Sequence, residues 1–154
     1  MLCHDLKEFH AQLPTPARIA GLDVGTRTVG GALSDALRCV ASPHVTLTRG
    51  QWQPLQQALH EMTQTYALAG WVVGDPRNMD SSVGSRGQSA RAFARNVQQA
   101  FALPVLMWDE RLSTVAAHRT LLEADLSRRR RAQVVDKLAA AYILQGVLDG
   151  MQRI

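Results

Sequence analysis

The chain has 154 residues, 46% of them hydrophobic and 19% charged, a balance that suits one folded domain rather than a disordered chain. Its 17 Lys and Arg outnumber 13 Asp and Glu, for a formal charge of +4 and a pI near 9.7, so a polyanionic partner competes with an ordinary solvated arginine-rich surface. No apolar run nears the roughly 20 residues that span a bilayer, Met1–Pro16 lacks a signal peptide's apolar core, and Cys3 and Cys39 have neither disulfide-framework nor zinc spacing. A cytoplasmic protein with no membrane partner is expected.

In chain order, residues 1–17 read as a short, poorly specified extension that includes Pro14 and Pro16. Ile19–Val24 is an apolar run with one acid near its end, followed by a Gly25-Thr26-Arg27 turn. Val29–Ser34 reads as a second strand and Arg38–Thr48 holds a third, an antiparallel meander. Leu55, Leu59, Met62 and Tyr66 recur at helical spacing, and Trp71–Gly74 is a buried-type strand broken by Asp75-Pro76. A polar loop is expected over 77–88, then a helix marked by Ala90, Phe93, Val97 and Phe101. Pro104–Trp108 is a last strand, leading into Asp109-Glu110-Arg111. Ser113 or Thr114 caps a third helix to about Ala124, and Val134–Leu148 is a final one after the basic run Arg128–Arg131. The order β-β-β-α-β-α-β-α-α predicts an α/β domain over residues 18–150, with a mixed five-stranded sheet flanked by helices and a short tail at 151–154.

Three acids fall where a sheet edge gathers side chains. Asp23 ends the first strand, Glu110 follows the last, and Asp136 is expected in the first turn of the final helix. Gathered carboxylates repel one another unless cations lie between them, and metal held by shared carboxylates suits in-line phosphoryl displacement. Each acid also has a plain reading: Asp23 as a turn residue, Asp109 and Glu110 as surface partners of Arg111, Asp136 as an acid favoured at a helix start. The five histidines show no metal-ligand spacing. His118 is a proton-shuttle candidate near Glu110 but reads more simply as a helix-surface residue, and Trp52, Trp71 and Trp108 read as packing.

Taken together the segments have a familiar pattern. Gly21-Leu22-Asp23-Val24-Gly25-Thr26-Arg27-Thr28-Val29-Gly30, the Gly74/Pro76–Asn78-Met79-Asp80 loop, Asp109-Glu110-Arg111-Leu112-Ser113-Thr114 and Val135-Asp136-Lys137-Leu138-Ala139-Ala140 resemble the motifs of the YqgF/RuvX family. The resemblance runs from about Arg18 to Asp149. It implies an RNase H-like fold related to Holliday-junction resolvases and a nuclease linked to pre-16S rRNA processing in ribosome maturation. It further implies Asp23, Glu110 and Asp136 as catalytic and metal-binding carboxylates, with Mg²⁺ or Mn²⁺ as cofactor. The chain departs from the family pattern at Gly31 and Asp75, where an apolar residue is usual, and at Ser81 and Val83 in the loop.

Thr26, Arg27, Arg77, Asn78, Arg91, Arg111, Arg128, Arg131 and Lys137 are the candidate substrate-binding residues, chiefly because planar guanidinium groups match phosphate oxygens. Solvated faces account for the same charges. The Asp23-Val24-Gly25-Thr26 turn also occurs in sugar-kinase-type ATPases, but those need two such halves and this chain is long enough for one. Three functions therefore stay in play: a pre-rRNA nuclease, a resolvase of four-way DNA junctions, and a non-catalytic module that binds structured RNA. Pre-rRNA or branched DNA is the expected partner, with monomer and homodimer both open.

Overall fold

The computed structural model describes residues 2–77, 83–112 and 128–154, with the backbone alone for 128–134. Short apolar runs, buried along their whole length at Ile19–Val24 and Gly70–Asp75, supply the strands. They are β1 (Leu2–Cys3), β2 (Ile19–Val24), β3 (Thr28–Ser34), β4 (Ala41–Thr48), β5 (Gly70–Asp75) and β6 (Val105–Asp109). The helices are α1 (Leu6–Ala11), α2 (Trp52–Tyr66), α3 (Ser85–Phe101) and α4 (Arg128–Gln152), and a 3-10 turn, Glu110–Leu112, follows β6.

One sheet runs β1-β6-β5-β2-β3-β4. The meander β2-β3-β4 is antiparallel, whereas β2, β5, β6 and β1 pair in parallel. The first long strand thus lies between the meander and the parallel strands, the position that gathers strand ends into one crevice. The sheet has six strands rather than the expected five. Leu2 and Cys3 pair with Val105 and Leu106, a contact too short to show alternation in sequence.

Side-chain alternation splits the core in two. Ala20, Leu22, Trp71, Val73, Val105 and Met107 face α2 and α3, packing on Leu55, Leu59, Phe93 and Val97. Ile19, Val72 and Leu106 face the other way, onto Phe9 of α1 and Ile143, Leu144 and Leu148 of α4. Fully burying one such side chain contributes roughly 1.5–3 kcal/mol. Phe9 is fully buried, so the N-terminal segment belongs to the core and is not a loose extension. Arg38 secures it: the buried guanidinium donates to the carbonyls of Pro14 and Ala17 and to Thr15 Oγ1.

Three boundaries differ from the sequence-based expectation. Ser85–Gln88 open α3 instead of closing a loop. Gly87 is a packing position there, since a Cβ would lie 2.7 Å from the Pro76 carbonyl oxygen and from Val83 Cγ1. α4 begins at Arg128, which puts Asp136 in its third turn, beyond reach of the helix-start effect. The helix also runs to Gln152, and buried Met151 makes part of the expected tail structural. The helix expected from Ser113 to about Ala124, His118 within it, and Asn78 lie outside the described residues.

Candidate active site

The rim at the C-terminal ends of β2, β5 and β6 carries acids on both sides of the sheet, and alternation decides which side each takes. Asp23 lies four residues after Ile19 and Gly74 two after Val72, so both face α4. Asp75 lies two after Val73 and Asp109 two after Met107, so both face α3. Asp75 and Asp109 are also direct partners in the β5–β6 ladder.

On the α4 side, Asp23 is 3% exposed and pairs across the sheet with Gly30. The helix comes so close at Gly30 that a Cβ there would sit 2.0 Å from the backbone oxygen of Asp136. Only glycine admits that approach, and it sets Asp136 over the strand beside Asp23. Thr28 Oγ1 donates a short hydrogen bond to Asp136 Oδ2. One residue beyond the last β2–β5 pair, Leu22 with Val73, comes Gly74, where a Cβ would lie 2.8 Å from Glu110 Oε1. The missing side chain at Gly30 thus admits the backbone of α4, and that at Gly74 admits Ile143 Cδ1 and the Glu110 carboxylate above the strand ends. Arg86, in the first turn of α3, reaches to 3.8 Å from Asp23 Oδ1.

Asp23, Glu110 and Asp136 therefore share one side of the rim. Among the described residues, no three His, Cys, Asp or Glu side chains are drawn into a ready metal-holding group. The chemistry of the donor set nevertheless fits a hard divalent cation, which takes carboxylate oxygens as ligands.

The α3 side has a different chemistry. Asp75, 1% exposed, accepts from Arg77 Nε at 3.0 Å and from Arg91 Nη2 at 3.1 Å and Nε at 3.4 Å. Asp109 accepts from Arg111 Nε at 3.1 Å and Nη2 at 2.7 Å. The Arg111 hydrogen bond holds the Asp109 carboxyl below its ordinary pKa, with the Arg77 charge a lesser contributor.

The remaining candidates scatter. Thr26 and Arg27 are exposed in the β2–β3 turn. Lys137 lies close enough to His44 of β4 to help lower its pKa, behind the larger effect of desolvation. Arg128 and Arg131 lie in the first turns of α4, and their side chains are outside the described residues. Sequence reasoning missed three contributors: Thr28, Asp75 as an arginine holder, and Arg49. Arg49 donates to the Gly25 carbonyl and to Ser89 Oγ, each at 2.7 Å, tying the turn to α3. Thr28 and Arg49 bond to residues far along the chain, so no local pattern signals them. The signal for Asp75 was its break in an apolar strand.

Comparison with known proteins gives the family. The model of the RuvX family, described as a Holliday junction resolvase, matches residues 17–150.

The chain belongs to the RuvX family.

A relative from Paracoccus denitrificans, named "Putative pre-16S rRNA nuclease", is 53% identical over 99% of this chain and 96% of its own. A relative of the same name from Ruegeria pomeroyi is 49% identical over the whole of both chains. Among solved structures, T. thermophilus RuvC in complex with a Holliday junction substrate covers 88% of this chain and 96% of that one, with a TM-score of 0.54 at 11% identity. That likeness is one of fold: the mixed sheet with flanking helices is RNase H-like, as in the RuvC resolvases. Among the described residues no helix is long and apolar enough to cross a membrane.

Proposed function

We propose that this RuvX-family chain is a metal-dependent endonuclease that hydrolyses nucleic-acid phosphodiesters, acting in the cytoplasm on the 5′ side of pre-16S rRNA. The observation that carries this reading is that Asp23, Asp136 and Glu110 lie on one side of the rim, where Gly30 and Gly74 let α4 and Glu110 pack close over the strand ends. Asp23, Glu110 and Asp136 would hold Mg²⁺ or Mn²⁺. Such an ion, when bound, neutralises charge at the scissile phosphate and lowers the cost of forming a hydroxide nucleophile.

The chain's own groups do the rest. Thr28 holds the Asp136 carboxylate against β3. Arg77, Arg91 and Arg111 on the α3 side, with Thr26, Arg27, Asn78, Arg128, Arg131 and Lys137, receive the phosphates of the strand. Water oxygen bonds to phosphorus as the bond to the 3′ oxygen breaks, leaving a 5′ phosphate and a protonated 3′ hydroxyl. The pre-16S substrate comes from the relatives' shared name.

The family description and the RuvC-like fold favour a second reading, resolution of four-way DNA junctions, which needs two sites and hence a homodimer. The deciding experiment sets pre-16S 5′-leader RNA beside a four-way DNA junction with Mg²⁺ or Mn²⁺, using wild type and Asp23→Asn. Metal-dependent cutting of the leader that disappears with Asp23→Asn supports the nuclease. Cutting of the junction alone favours the resolvase, and tight binding without cutting reduces the chain to an RNA-binding module.

A further inference from the structure

Asp75 stands one residue beyond Gly74 and therefore on the opposite side of β5 from the proposed metal ligands. An acid at the end of a fully buried strand is costly unless its charge is met. Here two guanidinium groups meet it, three N–H groups on two oxygens at 3.0–3.4 Å. The acid is 1% exposed, whereas Arg77 and Arg91 keep 28% and 27% of their side chains open to solvent. One buried carboxylate thus fixes two cations whose outer edges face outward. Arg77 gives Asp75 one N–H and Arg91 gives it two, out of the five that each guanidinium carries. The charges sum to one positive, which one phosphodiester would complete.

We propose that Asp75 is a positioning residue that holds Arg77 and Arg91 as a preformed receiver for one backbone phosphate neighbouring the scissile one. The inference rests on the nuclease reading and adds a binding subsite to it. The receiver and the carboxylates lie on opposite sides of the same strand end, so a nucleic-acid strand crossing the rim meets both. The receiver sets which phosphodiester stands at the carboxylates. Asp75 and Arg77 come as a pair in this chain, and the acid occupies a place where the family pattern has an apolar residue.

The test compares wild type with Asp75→Asn and with the double variant Arg77→Lys, Arg91→Lys. It measures single-turnover cleavage at saturating leader RNA or junction, the position of the cut, and binding in EDTA. Asp75→Asn should bind within about threefold of wild type, since lost orientation is offset by a lost negative charge. Its cleavage rate should fall about tenfold and its cuts should spread to neighbouring phosphodiesters. The lysine pair keeps the charge but not the planar fork, and it should show the same spread. If Asp75→Asn loses thermal stability yet cuts at the wild-type rate and place, the acid is only structural and the proposal fails. Should that variant not fold, the lysine pair, on positions only partly buried, decides by the same cut-site readout. Should even wild type not cut, the nuclease reading fails by itself. The receiver is then judged by binding: Arg77→Gln with Arg91→Gln should flatten the log–log salt dependence by about one, and an unchanged slope overturns it.

Discussion

The two sides of the rim hold similar numbers of acids and use them in opposite ways. Toward α3, Asp75 and Asp109 are each matched to guanidinium groups in close geometry. Toward α4, Asp23, Glu110 and Asp136 come together where Gly30 and Gly74 admit close packing, and Arg86 approaches Asp23 at 3.8 Å. A carboxylate matched to arginine is electrostatically complete and organises its partner. Carboxylates grouped together repel one another and favour an added cation between them. One step of strand alternation separates the two chemistries.

Paired substitutions test this contrast most severely. Asp23→Asn should reduce cleavage by orders of magnitude, whereas Asp109→Asn, which releases Arg111, should cost only a few-fold, measured as single-turnover rates on the same substrate. Equal losses would mean that the two sides are not distinct. Gly30→Ala comes next, because its methyl would meet the Asp136 backbone at 2.0 Å. The helix must shift, for a loss of about 3 kcal/mol in denaturant unfolding, with cleavage falling faster than stability. Thr28→Val removes the hydrogen bond to Asp136 and should lower stability by about 1 kcal/mol. Its cleavage rate should drop roughly tenfold if the bond orients a working carboxylate; a silent Thr28→Val would make Asp136 a bystander.

The smallest expected effect lies away from the rim. Partial desolvation, then the Lys137 charge, holds His44 below its ordinary pKa of 6.5, with its ring edge-on to Tyr66 at 5.2 Å. The neutral form is favoured in the folded state, so this contribution is whole above about pH 6.5 and fades as pH falls through the lowered value. Thermal midpoints should decline slightly below pH 6.5 in wild type, and His44→Gln should flatten that part of the curve.

Much of the sheet was legible because a short apolar run is a local signal. The apolar runs at Ile19–Val24, Trp71–Gly74 and Pro104–Trp108 carry strand identity within a few residues, and their order implies a parallel set beside a meander. Asp23 stood out as an acid in such a run. What failed was of two kinds. Leu2–Cys3 is too short to declare a strand, and the spacing of Leu6, Phe9 and Leu13 was hidden by intervening charges and the prolines that follow. Ser85–Gln88 has loop composition, yet it forms a helix because Gly87 lets α3 close on Pro76 and Val83. The second kind is long-range: Thr28 and Asp136 are 108 positions apart, and only the assembled fold makes them neighbours. The candidate acids could be proposed from their places along the chain, but the division of acids between two sides required the register.

α4 is one unbroken helix, from beside the rim at Asp136 to the floor of the second core at Met151. At about 1.5 Å per residue, those positions are roughly 22 Å apart along its axis. Leu144 and Leu148 seat that helix on the sheet, so they act as its ruler, and any change in their size slides Asp136 relative to Gly30. On the proposed role of Asp136, selection on the deep core of this protein is also selection on its reaction rate. Drift in the floor should register as lost turnover well before it registers as lost fold.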